Sequence, residues 1–395
     1  MDDKMRAFLK RNTFREYPDR APAKIPEYPV KLYIEATSLC NLNCAMCFRK
    51  TWINEKYGNI NTRTVLSVFD EPMFLENTKT VFFGGQGEPL IHPDIMLMIS
   101  EAKKRGKEVQ LITNGTSLNK TVSEKLVELG ADEIWVSIDS FDPEGYGKIQ
   151  VGSSFGQVVK NIEDFNVARK GSGTKLGLTF VVMKSNILQL TAFERFADYI
   201  QADDVNISNM IPNTPQMEEE TLAYQTILED YIHPFYYDED ETVVAMFRMT
   251  EKDLVENPGI EKLLDENRTL LWQGKPLLRK ENTCKFINEG ECFIRWDGEV
   301  MPCMALLHSA KTCLYRTERT IMSHTFGNVN RQSFSEIWNS KEYSRFRTLV
   351  SAFNYAPCTT CGGCVSVEKD EEDCITSEGP VCGACLWGQG IAKCP

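Results

Sequence analysis

Cys40, Cys44 and Cys47 stand in the run TSLCNLNCAMCF at C-x3-C-x2-C spacing. With 14 Cys in 395 residues, chance would place such a triplet in the chain about 2 times in 100, from about 0.035 cubed tried at about 390 starts. Three thiolates on one loop can hold three irons of a 4Fe-4S cluster. The fourth iron, with no protein ligand, then stays open to a small chelating molecule. A structural zinc site closes its coordination with a fourth residue, so the open triplet points to redox chemistry rather than to a zinc knuckle.

Other runs could serve such a site. In VFFGGQGEPL, Gly84, Gly85 and Gly87 permit a close backbone approach that side chains forbid, and Glu88 and Pro89 follow directly. In EIWVSIDS, Ser137 and Asp139 alternate to one side of a strand end, where a polar residue either contacts a ligand or caps the next helix. Asn114, in Thr113-Asn114-Gly115, and Asn186 each follow another strand-like run and read also as turn residues. The four histidines, His92, His233, His308 and His324, show no metal-ligand spacing with one another and read as structural.

The remaining 11 cysteines all lie after residue 283. A reducing compartment and a chain of this length make a disulfide framework the wrong reading, so the C-terminal field reads as metal-binding. Its ligands come from Cys284, Cys292, Cys303, Cys358, Cys361, Cys364, Cys374, Cys382, Cys385 and Cys394. Cys313, in LHSAKTCLYRT, reads as an inert thiol or a hydrogen-atom donor.

The elements that must position the triplet are legible from periodicity. VKLYIEA, TVFFGG, EVQLITNG, EIWVSIDS, KLGLTFVVM and DVNISNMIP are short, β-branched and aromatic, which predicts six strands. Between them DIMLMISEAKKRG, VSEKLVELGA, FGQVVKNIEDFNVARKG and LTAFERFADYI carry helical patterns. Strand–helix repetition predicts right-handed crossovers and a parallel sheet. Six units are too few for a closed eight-unit barrel, so the fold class is α/β, a partial (β/α)6 TIM barrel with its chemistry at the strand C-termini. The expected organisation is an N-terminal extension over 1–30, the barrel over 31–212, an acidic bridging segment over 213–283, and a Cys-rich module over 284–395 organised by metal.

Composition excludes some partners. The formal charge is −12, with 56 acidic against 44 basic residues and no strongly basic run, which argues against nucleic acid. No stretch of about 18 apolar residues is present, and the N-terminal MDDKMRAFLKRNTFREYPDR is charged where a signal peptide would be apolar. A cytoplasmic protein with no membrane partner is expected.

With the triplet, GGQGEP and SIDS in place, residues 31–212 resemble the radical S-adenosylmethionine superfamily. The resemblance implies that the open iron is chelated by the methionine end of S-adenosylmethionine, and that electron transfer generates a 5′-deoxyadenosyl radical. It implies that Met46 lies near the adenine, although Met equally fills gaps under a loop. Gly85, Gly87, Glu88 and Pro89 are expected to hold the methionine amino group, and Asn114, Ser137, Asp139 and Asn186 to line the cofactor site. In the last third, Cys284, Gly298 and Cys303 match the opening of the SPASM extension, which implies two auxiliary 4Fe-4S clusters and three in all. Carried over residue by residue, the ligands are Cys284, Cys292, Cys303 and Cys385 for one, and Cys358, Cys361, Cys382 and Cys394 for the other. The run Cys358, Cys361, Cys364 leaves the choice among Cys361, Cys364, Cys374 and Cys382 open. FGNVNRQSFSEIWNSKEYSRFR resembles the module's linker, with Ile337 and Trp338 packed into the core.

The ending CGACLWGQGIAKCP resembles maturases of tungsten-containing aldehyde ferredoxin oxidoreductases. That implies radical modification of a protein or of a protein-bound molecule such as a pterin cofactor, with ferredoxin or flavodoxin as reductant. A second reading is a ribosomal-peptide maturase that forms thioether or carbon–carbon crosslinks or epimerises residues, although only about 30 residues precede the first strand, few for a peptide-recognition module. A third, a non-catalytic iron–sulfur electron carrier, explains the C-terminal cysteines but not the open iron.

Overall fold

A computed structural model describes residues 22–221, 271–272, 275–276, 283–314, 317–355, 370, 373, 380–388 and 392–393. The six expected strands are β1 (Lys31–Ile34), β2 (Thr80–Phe83), β3 (Glu108–Thr113), β4 (Glu133–Ser137), β5 (Lys175–Val182) and β6 (Asp204–Asn209). They pair in chain order and all in parallel. The four helices expected between them lie at Ile95–Lys104, Lys120–Glu128, Phe155–Arg169 and Leu190–Tyr199. Further helices at Thr62–Phe69, Pro72–Asn77 and Pro143–Ile149 escape the periodicity reading, because each spans about two turns or fewer and offers too little text for a 3.6-residue period.

The sheet does not end with these six strands. A minor hairpin, β7 (Leu271–Trp272) and β8 (Lys275–Pro276), is followed by β9 (Glu291–Ile294) and β10 (Val300–Met301). Strand β9 runs parallel beside β1, with Lys31 opposite Glu291, and β10 closes the edge antiparallel to β9. The eight-stranded order is β10-β9-β1-β2-β3-β4-β5-β6. The compositional boundary at residue 283 is therefore crossed by sheet pairing, and the Cys-rich third is anchored to the barrel through β1. A separate hairpin, β11 (Ala310–Leu314) with β12 (Thr317–Ile321), extends from it.

Period-two alternation sorts the strand side chains to two faces. Leu32, Ile34, Val81, Phe83, Ile134, Val136 and Cys292 join the core under the helices. Tyr33, Phe82, Trp135 and Phe293 project to the opposite face, where they pack with Phe286, Met301, Cys303 and Leu306. Tyr33 stacks on Phe293 at 4.3 Å and lies 4.8 Å from Phe82, a run of cross-strand aromatic pairs of the kind that fixes register. The linker helix Phe334–Trp338 starts with a reciprocal capping box between Ser333 and Glu336, and Ile337 and Trp338 are buried in the helix-side core as expected.

Candidate functional site

The loop bearing the triplet leaves β1 at its C-terminal end, the edge where parallel barrels gather reactive groups. All three thiols are half-buried and unpaired. The loop has little regular structure of its own, so partners elsewhere fix it. Asn213 Nδ2 donates to the carbonyls of Met46 (3.3 Å) and Cys47 (2.8 Å), and Arg49 donates to the Leu42 carbonyl at 2.8 Å. The amides of Asn43 and Ala45 donate to Val151 and Ile149 at 2.9 and 2.8 Å. Asn114, at the end of β3, donates to Asn41 Oδ1 at 2.9 Å and approaches Cys40 Sγ at 3.8 Å.

Burial pushes the Cys44 thiol up to about 12 and raises that of Cys40. Thiolates are therefore costly here without a cation, and a bound iron cluster supplies one. The donor set fits three irons of a cluster.

The GGQGEP turn lies against this loop. A Cβ on Gly87 would fall 2.0 Å from the Thr37 carbonyl oxygen and 2.6 Å from that of Leu39. Only glycine lets the two backbones meet, and the Glu88 amide then donates to Leu39 O at 2.8 Å. The Glu88 carboxylate is buried and accepts from Thr113 Oγ1 (2.7 Å), Asn114 N (2.8 Å) and Leu90 N (3.1 Å). Burial pushes it up to about 7, and these donors oppose the rise. Glu88 thus clamps the turn to the end of β3, and Pro89 opens the short turn Pro89–Ile91 that follows.

On the far side, Asp139 is fully buried, accepts from Val181 N at 2.8 Å and from Ser137 Oγ at 3.4 Å, and is pushed up to about 7 by burial. Asn186 accepts from Met183 N at 2.7 Å and donates to the carbonyls of Asp139 and Val181, both at 2.9 Å. With three internal bonds and no exposure, Asn186 splices β4 to β5 and holds Asp139 in place. Met46 packs against Ile149, Met183 and Met210 beneath the loop.

A buried charge cluster that the sequence reading missed joins the barrel to its C-terminal third. His308 Nε2 lies 3.0 Å from the carboxylate of Glu35, and Nδ1 lies 3.0 Å from that of Glu55. The Glu35 and His308 side chains are 0% and 2% exposed. Glu35 also accepts from the Gln86 amide at 3.0 Å, and Glu55 accepts from Ser309 N at 2.7 Å and lies 3.5 Å from Arg295. Burial opposes the His308 charge, but the two carboxylates outweigh it and raise its pKa. Each ring nitrogen then donates to one carboxylate. The only sequence signal was a glutamate directly after an apolar strand, in YIEAT.

In the C-terminal third, Cys284, Cys303, Cys382 and Cys385 are mutual electrostatic neighbours, and burial raises all four thiols. They face one cavity of about 770 Å³ empty volume, with Phe286, Leu306 and Trp387 among its apolar walls. Among the described residues no three His, Cys, Asp or Glu converge on a single-ion site. A cubane instead takes one thiolate at each of four irons and so needs sulfurs spread around a volume, which this buried set offers.

The structure does not bring Cys292 to this cavity. Cys292 precedes Phe293 on β9 and by alternation points to the helix-side core, away from the cavity, where its charged neighbours are Arg347 and Glu291. Cys382, expected in the other set, lines the cavity beside Cys284, Cys303 and Cys385. Cys313 lines the same cavity from β11, while Cys358, Cys361, Cys364, Cys374 and Cys394 lie outside the described residues.

Comparison with known proteins agrees with this geometry. Residues 34–183 match the model of the radical SAM superfamily, and residues 284–365 match SPASM, an iron–sulfur cluster-binding domain. The chain belongs to the radical SAM superfamily and is a SPASM-type enzyme that binds S-adenosylmethionine and iron–sulfur clusters. It is 31% identical over 372 residues to the tungsten-containing aldehyde ferredoxin oxidoreductase cofactor-modifying protein of Pyrococcus furiosus, covering 92% of this chain and 96% of that one. It is 26% identical to the PqqA peptide cyclase of Gluconobacter oxydans over 54% of this chain and 63% of that one. In fold it is similar to Streptococcus suis SuiB bound to S-adenosylmethionine, with a TM-score of 0.57, 16% identity, and coverage of 95% and 80%. No helix among the described residues is long and apolar enough to cross a membrane.

Proposed function

We propose that this enzyme uses S-adenosylmethionine and three 4Fe-4S clusters to modify a protein-bound cofactor, in the maturation of a tungsten-containing oxidoreductase. The observation that carries the reading is the near full-length similarity to the Pyrococcus furiosus cofactor-modifying protein. Cys40, Cys44 and Cys47 would hold the cluster with the open iron. Bound there, S-adenosylmethionine and the cluster supply a 5′-deoxyadenosyl radical on one-electron reduction, with ferredoxin or flavodoxin as the donor.

The chain's own residues set up that chemistry. Gly85 and Gly87 bring a backbone ledge to the loop, Pro89 and the Glu88 clamp hold the ledge still, and Asn114, Ser137 and Asp139 rim the opening. Asn186 acts through Asp139. Cys284, Cys303, Cys382 and Cys385 would hold one auxiliary cluster, and the second draws on cysteines of 358–394. Similarity to a peptide cyclase supports a second reading, modification of a peptide.

Anaerobic reconstitution is expected to yield about twelve irons per chain. Iron near four per chain would count against the auxiliary clusters. Replacing Cys40, Cys44 and Cys47 with Ala should remove about four irons and abolish 5′-deoxyadenosine formation with dithionite. Co-expression of a tungsten oxidoreductase with and without this chain, followed by mass analysis of the extracted cofactor, separates the readings. An unchanged cofactor beside a modified peptide would favour the second.

A further inference from the structure

The turn that carries Gly85 and Gly87 is tied to the β1 side through alternate amides. Gly84 N donates to Ile34 O at 3.1 Å and Glu88 N to Leu39 O at 2.8 Å, both of them backbone bonds. The middle amide differs, because Gln86 N donates to the side chain of Glu35 at 3.0 Å. Glu35 also fills the space beside the neighbouring glycine. A Cβ on Gly85 would fall 2.7 Å from its Cγ and 2.9 Å from its Oε1. The centre of the turn is therefore set by where the Glu35 carboxylate sits.

What fixes that carboxylate comes from the C-terminal third. The Glu35 side chain is fully buried, so bulk water does not hold it. His308 Nε2 lies 3.0 Å from both of its oxygens, and Trp296 N approaches one of them at 3.5 Å. His308 is braced in turn on its other side. Its ring stacks on Trp52 at 4.0 Å and its Nδ1 meets Glu55 at 3.0 Å. Ile53 N donates to Ser309 O at 2.9 Å, and Ala310 forms a β-bridge with Trp52. The stretch 52–55 continues the chain that leaves the cysteine loop. His308 thus spans the two halves of the cofactor site, the chain following Cys47 and the turn around Gln86. A second link runs beside it, since the Gln86 side chain donates to the sulfur of Met304 at 3.6 Å, next to Cys303.

We propose that Glu35 and His308 are positioning residues for S-adenosylmethionine: through them the C-terminal third sets the place of the Gln86 amide and its flanking glycines, and cofactor affinity depends on that third being docked. This rests on the function proposed above, in which Gly85 and Gly87 form the ledge that meets the cofactor.

The dissociation constant of S-adenosylmethionine tests it, measured by equilibrium dialysis without reductant on the full, cluster-reconstituted chain and on variants that retain the parent's iron. His308→Gln puts an amide donor where Nε2 stood, and His308→Asn puts one where Nδ1 stood. The first keeps the contact to Glu35 and the second only that to Glu55. The Gln variant should bind within about threefold of the parent, and the Asn variant about tenfold more weakly. Glu35→Gln keeps an acceptor for Gln86 N and should also stay within about threefold, whereas Glu35→Leu has none and should weaken binding about tenfold. Because His308 acts through Glu35, adding His308→Asn to Glu35→Leu should change affinity by less than about twofold further. If Glu35→Leu fails to take up iron, the two His308 variants decide the matter. Parent-like affinity in His308→Asn, equal weakening by Asn and Gln at 308, or losses that multiply in the double variant would each overturn the proposal. A parent chain that does not bind S-adenosylmethionine would count instead against the cofactor role of the turn.

Discussion

Replacement of Gly87 by alanine tests whether the turn–loop contact positions the cluster. The added Cβ would lie 2.0 Å from Thr37 O and 2.6 Å from Leu39 O, while even close C–H···O contacts keep carbon and oxygen about 3.3 Å apart. The loop or the turn must therefore move by roughly 1 Å, and backbone atoms cannot turn aside as a side chain can. The Glu88 N–H to Leu39 O bond at 2.8 Å would go with it. Overpacking of this kind costs about 1–3 kcal/mol and the bond about 1 kcal/mol more, so the variant should be about 2–4 kcal/mol less stable. A shift of about 1 Å at a reacting centre commonly costs about a hundredfold in rate, so 5′-deoxyadenosine formation should fall by about that factor. The control is Gly156→Ala at an exposed position of the helix Phe155–Arg169, where a Cβ meets nothing within 4 Å; it should be neutral or stabilising by up to about 1 kcal/mol. Urea denaturation of the cluster-free chain and anaerobic assay of the reconstituted one measure both effects. Parent-like stability and rate in Gly87→Ala would refute the contact argument.

Three further outcomes are expected. Cys292→Ala should retain the parent's iron content, whereas Cys382→Ser should lose about four irons if one auxiliary cluster depends on it; equal losses would return Cys292 to the ligand set. The raised pKa of His308 means that the folded state holds its proton more tightly than the unfolded chain. Its contribution is thus complete below about pH 6.5 and is lost as pH rises through the folded value. Urea midpoints between pH 6 and 9 should fall in the parent and fall less in His308→Leu, which should itself cost about 3–5 kcal/mol at pH 6 by removing the charged partner of the buried Glu35. Glu88, pushed up to about 7 from an ordinary value of 4.5, acts in a lower window. There the unfolded chain releases its proton first, so stability declines between about pH 4.5 and 7, and Glu88→Gln should flatten that slope in the same titration.

Much of this protein was legible in one dimension because its determinants are local. The strand and helix periods of the barrel depend on side chains a few residues apart. The Cys40, Cys44, Cys47 triplet is a spacing within eight residues, and the close backbone approach at Gly87 was visible in GGQGEP, though not that Thr37 and Leu39 are the residues approached. Other features arise from residues brought together over long separations. Glu35 meets His308 across 273 positions, and neither residue's neighbours in sequence carry a trace of the other. The auxiliary set turned on facing: Cys284, Cys292 and Cys303 look equivalent as spacings, yet the pairing of β9 with β1 fixes which way each residue of Glu291–Ile294 points. That pairing turns Phe293 to the cavity side and Cys292 into the helix-side core. A period-two element shifted by one residue would exchange them. Sequence thus determined the chemistry available, three open thiolates and a Cys-rich third, because chemistry resides in residue types. Tertiary structure decided which thiols share a cavity and where charge is buried, because those depend on the register and direction of strands far apart in the chain.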